Sequence, residues 1–203
     1  MDNYIAAFIF FFAVIDPIGT VPVFIAVTSS FKEKIKRKIA IKATAYSALV
    51  LLFFMVAGEI ILTAIGISLS AFQIAGGIVL FLFAMTMIFG ESKPEEECAM
   101  IENNSTDTAI FPLAIPSIAS PGAMLAAVLL TENNKFNIWE QLVTAASMLS
   151  VLLVVLIFLF AASRIHRIIG DSGASLISRV MGLILASVAV SSVLEGVKTY
   201  FVL

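Results

Sequence analysis

The chain has 203 residues, of which 61% are hydrophobic and 13% charged, and its mean hydropathy is +1.09. Soluble domains carry about 25% charged residues, so a water-soluble globular protein is excluded; the net charge of −2 decides nothing further. One cysteine, Cys98, and one histidine, His166, exclude an intrachain disulfide and a Cys/His metal cluster.

Residues 3–15, 17–31, 43–58, 60–90, 108–131, 141–163 and 180–194 carry no Asp, Glu, Lys or Arg. A helix needs about 20 apolar residues to cross a hydrocarbon core, and with no water in that core each backbone must satisfy itself, which selects helices. The start, Met1-Asp2-Asn3-Tyr4, is acidic and no small-residue cleavage site follows, so no signal peptide is expected. Six transmembrane helices are predicted over 5–28, 40–65, 71–90, 109–131, 140–163 and 180–201. Between them lie the basic run Lys32–Lys38, the tight turn Gly66–Ser70, the acidic stretch Glu91–Asp107, the polar stretch Thr131–Asn137 and the segment Arg164–Ser178. The predicted fold is an all-α membrane protein forming one transmembrane domain over 1–203, with repeat one in 1–90, an acidic loop in 91–108 and repeat two in 109–203.

Cytoplasmic loops are enriched in Lys and Arg. Lys32, Lys34, Lys36, Arg37, Lys38, Lys42, Lys93, Arg164, Arg167 and Arg179 fall on one side and only Lys135 and Lys198 on the other, ten of the 12 basic residues against two. Loops 29–42, 91–108 and 164–179 are therefore expected in the cytoplasm and both termini outside.

Residues Ile74-Ala75-Gly76-Gly77-Ile78-Val79-Leu80 parallel Arg179-Val180-Met181-Gly182-Leu183-Ile184-Leu185 at a shift of 105. Asp16-Pro17-Ile18-Gly19 parallels Ser120-Pro121-Gly122 at a shift of 103 to 104. Each half has three spans, so the second must enter the membrane from the opposite side, giving the inverted-topology repeat common among secondary transporters.

Asp16-Pro17 and Ser120-Pro121 each read as an N-cap followed by proline at the first helical position. Both lie eleven residues into an apolar span, about 16 Å deep at 1.5 Å per residue. First and fourth helices broken near the bilayer centre would present N–H groups and positive dipole ends, which hold anionic groups such as a carboxylate. Gly19 and Gly122 would allow unusual backbone angles or a close approach. Asp16 is an intramembrane carboxylate and so a functional candidate, and it is the residue expected to couple an ion. The expected substrate-binding set is Asp16, Pro17, Gly19, Thr20, Ser120, Pro121 and Gly122; Gly76, Gly77 and Gly182 are expected at close helix contacts. Glu59 and Glu195 are expected at the interface, and Thr20, Thr28, Ser47, Ser187, Ser191 and Ser192 either line a path or bond their own preceding turn. No nucleotide loop, catalytic triad or metal signature is present, so neither an enzyme nor a cofactor is expected.

The stretch Asp16-Pro17-Ile18-Gly19-Thr20-Val21-Pro22-Val23-Phe24 resembles the Asn-Pro-Ile-Gly signature of the MarC family of integral membrane proteins. Gly66 to Gly77, Pro112-Leu113-Ala114-Ile115-Pro116 with Ser120-Pro121-Gly122-Ala123, and Arg179 to Ala186 are similar to its other motifs. The resemblance implies a six-helix inner-membrane protein, some relatives of which carry small neutral amino acids such as glycine and alanine. Two departures fall at the expected site: Asp16 stands where the family has Asn, and Ser120 where it has Gly. The function expected is a secondary transporter of small neutral amino acids coupled to protons or sodium. The alternatives are an exporter of another small metabolite or drug, and a non-transporting scaffold. The expected partners are the substrate, the ion, the lipid bilayer and a second copy of the chain in a homo-oligomer, with no nucleic acid.

Overall fold

A computed structural model describes residues 2–89, 109–133 and 135–201; the acidic loop with Lys93 and Cys98 lies outside the described residues. These residues form an all-α structure: α1 (Asp2–Ile15), α2 (Thr20–Thr28), α3 (Glu33–Ala64), α4 (Leu69–Phe89), α5 (Ala109–Ile118), α6 (Pro121–Leu129), α7 (Ile138–Phe160) and α8 (Ala162–Phe201). Four helices are long and apolar enough to cross a membrane, and six spans result if the bent pairs α1–α2 and α5–α6 each count as one. Side chains such as Leu49, Val56, Ile60, Leu153 and Leu194 are more than half exposed. Outward apolar faces of this kind suit lipid, where the backbone bonds inside each helix and the surface need not be polar.

Helix ends differ from the expected spans for local reasons. α3 begins at Glu33 rather than 40, so the basic run is helical, and the α8 helix takes in most of the segment 164–179 expected as a loop. Charge marks where the membrane ends, not where a helix must. Within α8, Gly170 (φ 67°, ψ 174°) interrupts the helix, and the membrane-length part is Ser175–Phe201. α3 ends in a Schellman turn at Gly66, φ 73°: the Gly66 N–H donates to Thr63 C=O at 3.1 Å and Ile67 N–H to Leu62 C=O at 2.9 Å. α7 opens with a capping box, in which Asn137 Oδ1 accepts the Glu140 N–H and Glu140 Oε2 accepts the Asn137 N–H, both at 3.0 Å. The α5 segment is irregular, with Phe111 and Ile115 extended. Each precedes a proline, Pro112 or Pro116, and proline both pushes the residue before it out of the helical region and removes a helix donor.

The core is built from pairings between the two halves of the chain. α3 packs on α5 and α6, α7 packs on α1 and α2, and α3 and α7 touch each other. α4 lies antiparallel along α8: Gly196 abuts Ser70, Gly77 abuts Ala189, and Gly182 abuts Ala84. A Cβ added to any of these three glycines would stand 3.1 Å from the facing carbonyl oxygen, so the small residues set the helix separation. Leu80 and Leu185, 1% and 0% exposed, lie at the middle of this seam. Gly76, by contrast, faces Leu125 of α6.

One end of the bundle holds the α2–α3 connection and the α7–α8 junction, with Lys32 to Lys42, Arg164 and Arg167 near it. The other holds the α3–α4 turn and the α6–α7 connection. There Glu59 accepts both the backbone N–H and the side-chain amide of Asn133 at 2.8 Å, and Lys135 pairs with Glu132 at 3.0 Å. Glu59 is thus tied to the connection at that end, and Glu195 is exposed.

Candidate functional site: two mid-span helix breaks

The first break follows from Asp16-Pro17. α1 stops at Ile15, Asp16 takes a left-handed conformation (φ 50°), and α2 resumes at Thr20 with the two segments bent by 42°. Aspartate tolerates this region better than most residues. Its carboxylate, 1% exposed, accepts the Gly19 N–H at Oδ1 (3.0 Å) and the Ser178 hydroxyl of α8 at Oδ2 (3.1 Å). Its carbonyl accepts both the Thr20 N–H (3.1 Å) and the Thr20 hydroxyl (3.0 Å). Asp16 therefore caps the turn Pro17–Gly19 rather than the first residue of a regular helix, and Pro17 is buried beneath it.

Gly19 has ordinary helical angles (φ −68°, ψ −20°), so the unusual angle belongs to Asp16 and not to the glycine. What Gly19 supplies is space: an added Cβ would overlap Asp16 Oδ2 and stand 2.6 Å from Ser178 Oγ.

The second break follows from Ser120-Pro121. Ser120 is extended (ψ 158°) and is the N-cap of α6, its Oγ accepting the Ala123 N–H at 3.2 Å with Pro121 at the first helical position. α5 and α6 are bent by 57°. The Ser120 hydroxyl also donates to the Val14 carbonyl at 3.3 Å. Val14 lies in the last turn of α1, where carbonyls lack donors within the helix. The two breaks thus meet: one uses the side chain of the other to satisfy its backbone. Gly122 is buried at the same contact, where a Cβ would come within 2.5 Å of Leu80 Cδ1 and 2.9 Å of Val14 Cγ1. Its space is filled by packed apolar side chains, while Pro121 is exposed on the other side of the helix.

Of the expected residues, Asp16, Gly19 and Thr20 lie together, and Ser120 and Gly122 join them through Val14. Gly77 and Gly182 lie in the α4–α8 seam and Gly76 outside it. Thr20, Thr28, Ser47 and Ser187 each donate to the carbonyl four residues back, at 3.0, 2.5, 2.9 and 3.0 Å. Two residues escaped the sequence reading. Ser178 had no local signal, since only the approach of α8 to the first break gives it a role. Ser117, 2% exposed, has a hydroxyl with no hydrogen-bond partner among the described residues.

Cavities of about 70, 260 and 410 Å³ open among the described residues, and none of these is lined by Asp16, Gly19, Ser120 or Gly122, all four of which are buried. No group of three or more His, Cys, Asp or Glu among the described residues could hold a metal ion. The arrangement can place one carboxylate, several hydroxyls and broken-helix backbone groups in a dry setting, where each electrostatic contact counts for more than in water.

The sequence model of the MarC family of integral membrane proteins matches residues 1–201. The chain belongs to the MarC family. Its relatives include a UPF0056 membrane protein of Archaeoglobus fulgidus, 35% identical over 97% of this chain and 92% of that protein. Another, from Methanocaldococcus jannaschii, is 36% identical over 98% of this chain and 97% of its own length. A third, from Aquifex aeolicus, is 31% identical over 96% and 92%. No solved structure matches. The MarC assignment makes the chain an integral, multi-pass membrane protein.

Proposed function

We propose that this MarC protein is a secondary transporter of small neutral amino acids of the glycine or alanine kind, coupled to protons or sodium, in the inner membrane. The observation that carries the reading is the junction of the two breaks, where the Ser120 hydroxyl bonds the Val14 carbonyl beside the buried Asp16. A scaffold needs neither a carboxylate there nor two interrupted helices, each of which sacrifices backbone hydrogen bonds. The orphan hydroxyl of Ser117 supports it, since a buried donor left unpaired costs about 1–3 kcal/mol until something satisfies it.

The inverted repeat is part of the proposal, and the packing between the halves supports it. α3 packs on the broken helix of the second half and α7 on that of the first. The contacts of Gly77 with Ala189 and of Gly182 with Ala84 exchange when each residue is moved by the shift of 105.

The termini are proposed to lie outside, because Lys135 and Lys198 are the only basic residues among those described that are remote from the basic end. An impermeant thiol reagent should then miss Cys98 in intact cells and reach it after lysis; labelling without lysis reverses the orientation. The transport reading is tested by uptake and counterflow in proteoliposomes with a panel of labelled amino acids. Glycine and alanine should accumulate under a proton or sodium gradient, and no uptake of any amino acid under either gradient removes the reading.

A further inference from the structure

We propose that the cavity at the basic end of the bundle binds the phosphate headgroup of an anionic phospholipid. This cavity, of about 70 Å³, lies between the end of α2, the start of α3 and the α7–α8 junction. Phe24, Ile25, Leu159 and Phe160 form its apolar wall, and Lys36, Arg37, Ser163 and the carboxylate Glu33 lie around its polar part. Apolar wall and cationic rim together match an amphiphile with a phosphate head, for which arginine and lysine are the natural partners. The ion pair that Lys36 makes with Glu33, at 3.2 Å, competes weakly, since the Glu33 side chain is 78% exposed and such pairs are worth little.

The opposite end of the molecule supplies an internal control. The cavity of about 410 Å³ there is lined in part by corresponding positions of the other half at shifts of 103 to 105. Thr131 stands for Thr28, Gln141 for Lys36, and Leu142 for Arg37. The corresponding helix start in the other half thus forms with Ile138, Gln141 and Leu142 in place of Glu33, Lys36 and Arg37, so a helix there does not require the two cations. Nor does orientation in the membrane demand them in this place, because Lys34 and Lys38, outside the lining, carry the same charge at the same end.

The test uses the full chain in detergent and in nanodiscs, with phosphatidylglycerol, phosphatidylcholine and inorganic phosphate as probes. Retained lipid is counted by native mass spectrometry, and thermal stability is followed alongside. Wild type should hold phosphatidylglycerol in preference to phosphatidylcholine and be stabilised by it. The double variant K36Q/R37L, which places the opposite cavity's residues at these two positions, should bind it roughly 30-fold more weakly. K34Q/K38Q removes equal charge outside the cavity and should bind as wild type, and K36R/R37K should retain binding, which separates lost recognition from lost folding. Equal losses in K36Q/R37L and K34Q/K38Q would overturn the site in favour of diffuse attraction. So would a wild type without preference for phosphatidylglycerol, and full stabilisation by inorganic phosphate would show a free-anion site instead.

Discussion

Gly19→Ala is expected to lower uptake by about 10- to 100-fold, with the protein still inserted and helical. The added methyl group falls on Asp16 Oδ2 and within 2.6 Å of Ser178 Oγ, so the carboxylate must leave one or both of its partners. A buried polar group left without its partner costs about 1–3 kcal/mol, which sets the size of the effect. Gly19→Val should be worse, because a β-branched side chain cannot turn away from the contact. Asp16→Asn is the informative companion. Its amide oxygen can accept the Gly19 N–H while its amide nitrogen donates to Ser178 Oγ, which accepts as well as donates, so both contacts and the fold survive. A proton or a cation can no longer be taken up there, and the dependence of uptake on pH or sodium should flatten while some transport remains. Uptake across a pH series, with and without sodium, reads both variants. Unchanged ion and pH dependence in Asp16→Asn reduces Asp16 to a cap of the turn, and wild-type uptake in Gly19→Ala removes the site from the first break. Gly122→Val is a weaker probe than the sequence suggested, because its Cβ meets Leu80 and Val14 and the loss would mix packing with function.

The largest effect on stability is expected in the α4–α8 seam. In Gly77→Leu the Cβ would stand 3.1 Å from the Ala189 carbonyl and 2.7 Å from Val193 Cγ2; in Gly182→Leu it would stand 3.1 Å from the Ala84 carbonyl and 2.9 Å from Ile88 Cγ1. Backbone cannot give as a flexible side chain can, so the helices must separate, and overpacking of this kind costs about 1–3 kcal/mol or more. Both variants should lose several degrees of thermal stability in detergent. If the two halves are related by an axis through this seam, the two losses should be alike. Gly76→Leu should cost less, since Leu125, the side chain it meets, can rotate. A tolerant Gly77→Leu beside a damaging Gly76→Leu would show that the seam is not where the helices are held.

Much of the site was readable because its causes are local. Proline removes a donor and clashes with the turn before it, whatever surrounds it, so Asp16-Pro17 and Ser120-Pro121 had to interrupt their spans. Ser120 took the cap position that its hydroxyl and the following proline prescribe. The same rule acts at Phe111-Pro112 and Ile115-Pro116, and α5 is accordingly irregular where the span 109–131 was expected to be helical up to Ser120. The early start of α3 and the helical residues before Gly170 were missed because hydropathy locates the bilayer, and helices run on past it.

By itself, then, the sequence determined the solvent, the all-α character and the two positions at which apolar helices bend, since composition and proline stereochemistry act without reference to the rest of the chain. Only the tertiary structure decided which helices meet. It brought Ser178 to Asp16, set Ser120 against Val14, separated Gly76 from Gly77, and filled the space at Gly122. The physical reason is that in lipid one apolar face is nearly as well solvated as another. Partners are chosen by steric fit and by a few buried hydroxyls and carbonyls, and these become visible only when the surfaces are together.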